Sequence, residues 1–441
     1  MLSRERALDI LEAGLRHSRA DQTEIVVLAH EVQLTRFANS AIHQNLAEAN
    51  ARVRVRVALG KRLGHAATNR TEPSEVARAV DRAIALAKRV EPNKDFVSLP
   101  SPAAPPEVQA FFPATAASDP EGRAAVVARL ARMAGAAHCE ASGSLSVSVD
   151  EVAVGNSLGI RAYQPSTQAF FTIIATDTDA AGFAQAIGRD IAQLDFDAAA
   201  EVALQKCVDS RRPGDLAPGD YEVVLEPAAV GELILFLAYL GLGAMSVQED
   251  RSFLCGRFGE RVMSPRVSIW DDALDPRGLA TAFDYEGVPK QRVDIIERGV
   301  AHAVVYDSYT AHKENKVSTG HAFPAPNTWG PMPTNLFMAT AGSNVPEMID
   351  NTGRGVLVTR FHYTNPIHEK RTDVTGMTRD GTFLIEEGKV TRPLRNLRFT
   401  QNIVEALSDV HLVGSDAVLV GEGEGECAVP ALKLGKFRFS G

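Results

Sequence analysis

The spacing of apolar positions changes in a regular order along the start of the chain. Ala7, Ile10 and Leu11 approximate one face of a helix. The stretches EIVVLAHEVQLTRFA, ARVRVRVALG and KRLGHAA have strand composition, and SEVARAVDRAIALAKRV returns to the helical period. Arginine and valine alternate at period two from Arg52, which places the arginines on one face of a strand. The pattern predicts a helix, three strands and a second helix over residues 1–95.

A proline-rich stretch then interrupts the periodic pattern. The sequence VSLPSPAAPPEVQAFFPATAASDP contains too many prolines for a helix or a central strand, so residues 96–118 are predicted to be a linker or an extended crossing segment. Beyond it, EGRAAVVARLARMAGAA predicts a helix, residues from about Ser144 to Thr178 have strand character, and FDAAAEVALQKCVDS predicts a closing helix. An internal duplication of a helix–sheet–helix unit remains open, because no residue-level repeat accompanies this order.

From Pro218 onwards, short strands alternate with turns rich in glycine and proline. DYEVVLEP predicts a strand, and PAAVGELILFLAYLGL predicts a helix with Pro227 in its first turn. We therefore predict an α+β fold. The predicted parts are an N-terminal α+β domain (1–95), a linker (96–118), a middle α+β segment (119–215) and a β-rich C-terminal domain (216–441).

Composition narrows the class of protein. The chain has 441 residues, of which 45% are hydrophobic and 23% are charged, and a net charge of -9 that argues against nucleic-acid binding. Its start lacks the apolar core of a signal peptide, and its longest apolar run, LILFLAYLGLGAM, is shorter than the roughly 20 residues that cross a bilayer. We expect a cytoplasmic protein with no nucleic-acid or membrane partner. Reduced thiols are expected for the four widely spaced cysteines, Cys139, Cys207, Cys255 and Cys427.

Three short motifs are weak signals. IHEKRT contains a His-Glu pair at His368 and Glu369, as zinc proteases do, but Thr372 stands where their second His would be, so we predict a polar loop. GNSLG matches the serine-hydrolase pattern at Ser157, but strand-like residues follow it instead of a helix, which predicts a hairpin turn. GEGEGE, which begins at Gly421, is predicted to be a flexible acidic loop, because its glutamates would repel phosphate.

The C-terminal half contains longer blocks: DYEGVPKQRVDIIERGV, YDSYTAHKENKVSTGHAF, PTNLFMATAG, TGRGVLVTRFHYTNPIHEKRTDVTGMTRDGTFLIEEGKVTRPLRN, TQNIVEALSDVHLVGSD and CAVPALKLG. In this order they resemble the blocks of the TldD/PmbA family. The N-terminal stretch HEVQLTRFANSAIHQNLAEANARVRVRVALGKRLGHAATN resembles the opening domain of that family. The resemblance covers nearly the whole chain.

The family contains two kinds of subunit. The TldD kind holds a catalytic metal with a His-Glu-x-x-x-His motif, on a helix after a VVL strand, and a later Cys. The PmbA kind, also called TldE, lacks the motif. Counted without gaps from VVLEP, the motif falls on LFLAYL, with Leu235, Phe236 and Leu240 in place of its three functional residues. Cys427 lies where PmbA-type tails also have a Cys. The chain therefore resembles a PmbA (TldE)-type subunit, without catalytic or metal-ligating residues.

This resemblance implies a function for the chain. It would be the noncatalytic subunit of a heterodimeric TldD/TldE metalloprotease that degrades or matures unfolded peptides, with zinc in the TldD-type partner and no cofactor in this chain. Whether the isolated chain forms a homodimer stays open. Weak candidates for peptide-binding groups that face the chamber are Ser318, Thr319, Gly320, His321, Asn335 and Asn365.

Two alternatives remain. The chain could be a peptidase in its own right, with a metal bound by residues that the family does not use, or a stand-alone peptide-binding or regulatory protein. The histidines available to the first alternative are His312, His321, His362 and His368.

Overall fold

A computed structural model of the chain describes residues 1–421 and 425–440. Residues 422–424, in the predicted acidic loop, and residue 441 lie outside the described residues. In this description, no helix is long and apolar enough to cross a membrane.

The N-terminal region begins with a helix, three strands and a helix, as predicted. The elements are α1 (Arg4–His17), β1 (Gln22–Ala38), β2 (Ala41–Leu59), β3 (Arg62–Thr68) and α2 (Pro73–Ala87). The predicted alternation on β2 is confirmed, since Val53, Val55 and Val57 are buried in the core formed with α1 and α2. The arginines between them therefore point to the opposite face of the sheet.

The same order follows the proline-rich stretch. The elements are α3 (Pro113–Ala116), α4 (Pro120–Ala136), β4 (Glu140–Asn156), β5 (Arg161–Thr176), β6 (Ala181–Gly188), a 3₁₀ helix (Ile191–Gln193) and α5 (Phe196–Asp209). Asp119 and Asp195 cap α4 and α5 by accepting the backbone N–H groups of Gly122 and Ala198 at 2.6 and 2.9 Å. The predicted GNSLG turn joins β4 to β5.

The two units share one sheet. Its six antiparallel strands have the order β3-β2-β1-β4-β5-β6, and β1 pairs with β4 from Glu24↔Asn156 to Phe37↔Gly143. The proline-rich stretch crosses between the units and contains the short helix α3, although its prolines predicted no helix. It is tied to the sheet, because the carbonyl oxygen of Ala110 accepts the backbone N–H of Thr167 at 2.9 Å. Helices from both units cover one face of this sheet.

The C-terminal region contains two further sheets. One has the order β10-β9-β8-β11-β18-β17, and the other has the order β12-β7-β19-β15-β13-β14, with β16 beside β19. Its strands are β7 (Gly219–Leu225), β8 (Ile269–Asp271), β9 (Val293–Glu297), β10 (Val300–Ala301), β11 (Asn335–Met338), β12 (Arg354–His368), β13 (Asp373–Glu386), β14 (Lys389–Pro393), β15 (Arg398–Asn402), β16 (Val410–Val413), β17 (Val418–Gly421), β18 (Glu426–Val429) and β19 (Leu432–Phe439). Its helices are α6 (Pro227–Gly241), α7 (Ala244–Gln248), α8 (Ser308–Lys313), α9 (Val345–Asp350) and α10 (Ile403–Ser408).

Helix α6 contacts both of these sheets, through β7 and β12 on one side and β17 and β18 on the other. Leu233 and Leu237 are fully buried in the core that the sheets share. The helix is not buried all round, since Tyr239 is 38% exposed and its ring lies 5.4 Å from that of Trp329. The chain thus has the predicted α+β fold with a strand-rich C-terminal part. The domain boundaries at residues 95, 118 and 215 stay a prediction.

Candidate functional site

Helix α6 contains the positions at which the family resemblance predicts a degenerate metal motif. Leu235 and Phe236 are half-buried there, and Leu240 is 1% exposed. Their side chains have no oxygen, nitrogen or sulfur atom to ligate a metal ion or to activate water. This turn of the helix therefore supplies packing, not ligands.

Cys427 on β18 packs against the same helix. Its Sγ lies 3.7 Å from the carbonyl oxygen of Gly231, within range for the thiol to donate a hydrogen bond, and the side chain is 1% exposed. Burial raises the pKa of this thiol well above its ordinary value, and neighbouring Glu426 adds to the shift. A neutral, enclosed thiol is a poor ligand, because the thiolate is the form that binds metal.

A catalytic zinc ion does not fit the donors that remain. The described residues contain no group of three or more His, Cys, Asp or Glu side chains able to hold a metal ion. His312 lies in the last turn of α8, and His368 ends β12 at the exposed hairpin turn that contains Glu369. The ring of His362 lies against that of Tyr363 at 5.2 Å. The histidines that could bind metal in an independent peptidase thus belong to different local structures.

His321, the fourth of these histidines, is paired with a carboxylate. Its Nε2 lies 2.9 Å from Oδ1 of Asp271, and its Nδ1 lies 2.9 Å from Oγ1 of Thr319. The backbone N–H of Asn335 donates to Oδ2 of the same aspartate at 2.7 Å. Burial acts to raise the pKa of Asp271, but the attraction of His321 and Lys290 and the hydrogen bonds from His321 and Asn335 together hold the pKa below its ordinary value. Burial, together with repulsion from Lys290, lowers the pKa of His321.

Two of the candidate peptide-binding residues, His321 and Asn335, therefore meet at Asp271. The other four have local structural contacts. The hydroxyl of Ser318 donates to the carbonyl oxygen of Tyr306 at 3.1 Å, and Oγ1 of Thr319 accepts the backbone N–H of Tyr306 at 2.8 Å. Gly320 has φ +76°, and a Cβ atom there would lie 2.4 Å from the carbonyl oxygen of Pro289, so the backbone requires glycine.

Asn365, the remaining candidate, is exposed near the end of β12. Its amide Nδ2 donates to the carbonyl oxygen of Tyr363 at 2.9 Å. Asn365 does not line the cleft to which His321 and Asn335 contribute. The assignment of all six candidates to peptide binding stays a prediction.

His321 and Asn335 line a cleft between the N-terminal sheet and the C-terminal region. The cleft has a volume of about 420 Å³, in the range of small-molecule sites. One wall comes from the sheet face that the helices leave uncovered, and the other comes from loops of the C-terminal region. Sheet residues in the first wall include Leu28, Asp150, Val152, Gln164 and Gln168, and loop residues in the second include Phe283, Asp284, Tyr285, Lys290 and Phe323.

Two charged groups in this cleft were missed by the sequence interpretation. Lys290 is 7% exposed, and burial lowers its pKa although Asp271 and Asp284 act against the shift. Asp284 is 3% exposed, and burial together with Glu286 raises its pKa to about 7. The stretch DYEGVPK, with two acids and a lysine in a block of turn residues, carried the only local signal for them.

Comparisons with known proteins agree on the fold and the family. A family profile described as the PmbA/TldA metallopeptidase C-terminal domain matches residues 218–441, about half of the chain. A second profile, PmbA/TldA metallopeptidase domain 1, matches residues 23–87. The crystal structure of TldE from Thermococcus kodakarensis has a TM-score of 0.89 at 22% identity and covers 99% of this chain and 100% of that one. At this identity the likeness establishes the fold.

Two curated relatives from Haemophilus influenzae are metalloprotease homologues. The metalloprotease PmbA homologue is 26% identical over 405 residues, which cover 88% of this chain and 85% of that protein. The metalloprotease TldD homologue is 26% identical over 246 residues, which cover 52% of this chain and 49% of that protein. This chain thus spans about half the length of the TldD homologue. The profile match over residues 218–441 shows that the chain belongs to the TldD/PmbA family.

Proposed function

We propose that this chain is the noncatalytic TldE/PmbA-like subunit of a heterodimeric TldD/TldE metalloprotease that degrades or matures unfolded peptides. The observation that carries the proposal is the replacement of all three motif residues on α6 by Leu235, Phe236 and Leu240. The PmbA homologue matches this chain over most of both lengths, which supports the PmbA type.

These replacements remove the groups that metal-assisted peptide hydrolysis requires. Metal-assisted hydrolysis of a peptide needs an ion that lowers the pKa of water and polarises the carbonyl group, with a general base beside it. Leucine and phenylalanine supply neither function at these positions, and the buried thiol of Cys427 does not replace a set of ligands. Zinc and the general base therefore come from the TldD-type partner.

Exposed apolar side chains at two hairpins support a subunit partner. Tyr363 and Ile367, near the end of β12, are 78% and 58% exposed. Ile42 and Leu46, on β2, are 37% and 40% exposed. Grouped apolar side chains at a surface are typical of protein interfaces. An obligate pair of subunits commonly buries more than about 2,000 Å².

An open strand edge supports the binding of extended peptides. Within the described residues, β3 pairs only with Val53 to Leu59 of β2, so the outer edge of β2 from Ala41 to Arg52 has no neighbouring strand. Main-chain hydrogen bonds along such an edge bind extended chains with little sequence preference. This agrees with a role in holding unfolded peptides.

The proposal is tested by mixing purified subunits. The chain alone, purified without chelator, should contain no stoichiometric zinc by elemental analysis and should not cleave an unfolded peptide. With a TldD-type subunit it should form a complex, and cleavage should appear only in the mixture. A partner whose motif Glu is changed to Gln is the matched control and should form an inactive complex.

Three results would separate the alternatives. Cleavage by the unmixed chain, abolished by chelator and restored by zinc, would overturn the proposal in favour of an independent peptidase. Tightly bound metal that is lost in His312→Ala or His368→Ala variants would support the same alternative. Failure to form any complex, without activity of its own, would favour a stand-alone peptide-binding protein.

A further inference from the structure

Lys290 is a buried cation with few partners. An ammonium group has three N–H donors, but the only hydrogen bond from Nζ to a described residue is a long one, 3.4 Å to Oγ1 of Thr334. Among the same residues, no carboxylate oxygen lies within the 4.0 Å that defines an ion pair with it. A charge this enclosed is costly unless another group compensates it. The ammonium therefore retains donors for a ligand in the cleft that it lines.

The neighbouring aspartates are committed to other groups. Asp271 accepts from Asn335 and pairs with His321. Asp284 accepts three backbone N–H groups, from Glu286 and Val288 at 2.9 Å each and from Ala322 at 2.8 Å. These short hydrogen bonds hold both carboxylates in place, so neither can turn towards Lys290 without losing them.

A second cation lies on the opposite wall of the cleft. Nη1 of Arg189 donates to the carbonyl oxygen of Thr167 at 3.0 Å, and Nη2 donates to that of Ala280 at 2.8 Å. Its Nε is buried and has no hydrogen-bond partner among the described residues. Both of its hydrogen bonds go to neutral carbonyl groups, and the carboxylates of Asp150 and Glu426 attract the guanidinium group. Arg189 is thus partly compensated, and Lys290, with one long hydrogen bond, is the cation that favours an anionic ligand.

The rest of the cleft lining is partly apolar and can pack against the side chain of a bound peptide. Phe283, Tyr285, Phe323 and Met332 provide apolar surface, and the rings of Tyr285 and Phe323 lie 6.4 Å apart in a stacked arrangement. A volume of about 420 Å³ accommodates a few residues of an extended chain. An anionic group next to an apolar side chain is the chemistry of a peptide's carboxyl terminus.

We propose that this cleft binds the free carboxyl terminus of a short peptide, with the carboxylate at Lys290 and the last side chain against Phe283, Tyr285 and Phe323. The proposal rests on the proposed function, because it specifies which end of a peptide this subunit holds. Lys290 is a binding residue in this scheme, and no covalent step is involved.

Calorimetric titration of the isolated chain tests the proposal. The ligands are a hexapeptide that ends in leucine with a free carboxylate, the same peptide as its carboxyl-terminal amide, and acetate. The free acid should bind at least tenfold more tightly than the amide, since the amide lacks the charge that Lys290 attracts. Lys290→Met should reduce the affinity for the free acid at least tenfold, and Lys313→Met, on the exposed face of α8, should not.

Each result of these titrations either supports or overturns the binding of a peptide carboxyl terminus. Equal affinity for acid and amide on the wild-type chain would overturn the proposal, whatever the folding of the Lys290 variant. Unchanged affinity in a folded Lys290→Met variant would also overturn it. Acetate that binds as tightly as the peptide would show a site for small carboxylic acids, and would overturn the peptide assignment. No metal or partner subunit is present in these titrations, so their failure would leave the subunit proposal to the mixing experiment.

Discussion

Arg56 lies between two carboxylates in the interior. Its Nη2 is 2.6 Å from Oε2 of Glu24 and 2.9 Å from Oε1 of Glu286. Two acids thus share one guanidinium group, and the side chains of both acids are buried. Burial raises the pKa of Glu24 from 4.5 to about 7, against the attraction of Arg56 and with the help of repulsion from Glu286. Glu24 is therefore partly protonated at neutral pH.

This shift predicts a pH dependence of stability. In the unfolded chain Glu24 has its ordinary pKa, so between about pH 4.5 and 7 the folded chain binds more protons, and rising pH lowers the free energy of unfolding. At 1.4 kcal/mol per pKa unit, the full shift lowers the free energy of unfolding by about 3 kcal/mol. The Glu24→Gln variant lacks this loss.

Urea unfolding at about pH 5 and pH 8 measures the effect. Between these values, stability should fall by about 2.5 kcal/mol more in the wild type than in Glu24→Gln. Glu12→Gln is the matched control, since the side chain of Glu12 is 40% exposed, and it should follow the wild type. Parallel pH curves for the wild type and Glu24→Gln would contradict the raised pKa.

Among the elements, α6 is a helix that packs between two sheets. Its inward face, which includes Leu233 and Leu237, is fully buried between the two C-terminal sheets. Leu235, Phe236 and Leu240 add hydrophobic side chains to the helix, and Cys427 packs against the turn at Gly231. In this chain the helix therefore contributes to the stability of the core.

Leu237→Asp should unfold the C-terminal part of the chain. Burial of a leucine side chain contributes about 1.5–3 kcal/mol, and an unpaired buried carboxylate adds a larger penalty. Tyr239→Asp, on the same helix but at a side chain that is 38% exposed, should remain folded. Circular dichroism and solubility distinguish the two variants. A soluble, fully folded Leu237→Asp protein would disprove the buried-helix argument.

At the scale of the whole molecule, buried polar contacts join the N-terminal sheet to the C-terminal region. Arg56 belongs to β2, whereas Glu286 belongs to a loop of the C-terminal region and accepts the backbone N–H of Ser308 at 3.0 Å. On β5, Gln168 donates to Oε1 of Glu426 at 2.8 Å. These contacts lie on the sheet face that also forms one wall of the cleft.

Arg56→Met should therefore destabilise the molecule as a whole. Removal of one partner from a buried ion pair costs about 3–5 kcal/mol, because the other charges stay buried without compensation. Urea unfolding should show the transition at lower denaturant concentration. Arg52→Met removes an exposed arginine from the same face of the same strand and should change stability by less than about 0.5 kcal/mol. A similar small change in Arg56→Met would show that the two regions do not depend on this network.

The spacing of neighbouring residues was enough to predict the element types, and it showed hydrophobic residues along PAAVGELILFLAYLGL. The helix–three strands–helix order, the helix at PAAVGELILFLAYLGL and the absence of ligands at Leu235 and Leu240 depend on residues close together in the chain. In contrast, the pairing of β1 with β4 across the proline-rich stretch, and the meeting of Asp271, Lys290 and His321 beside one cleft, depend on the folded arrangement. Strand pairing and burial join residues that are distant in sequence, and burial is what changes the charge chemistry of Lys290 and Asp284.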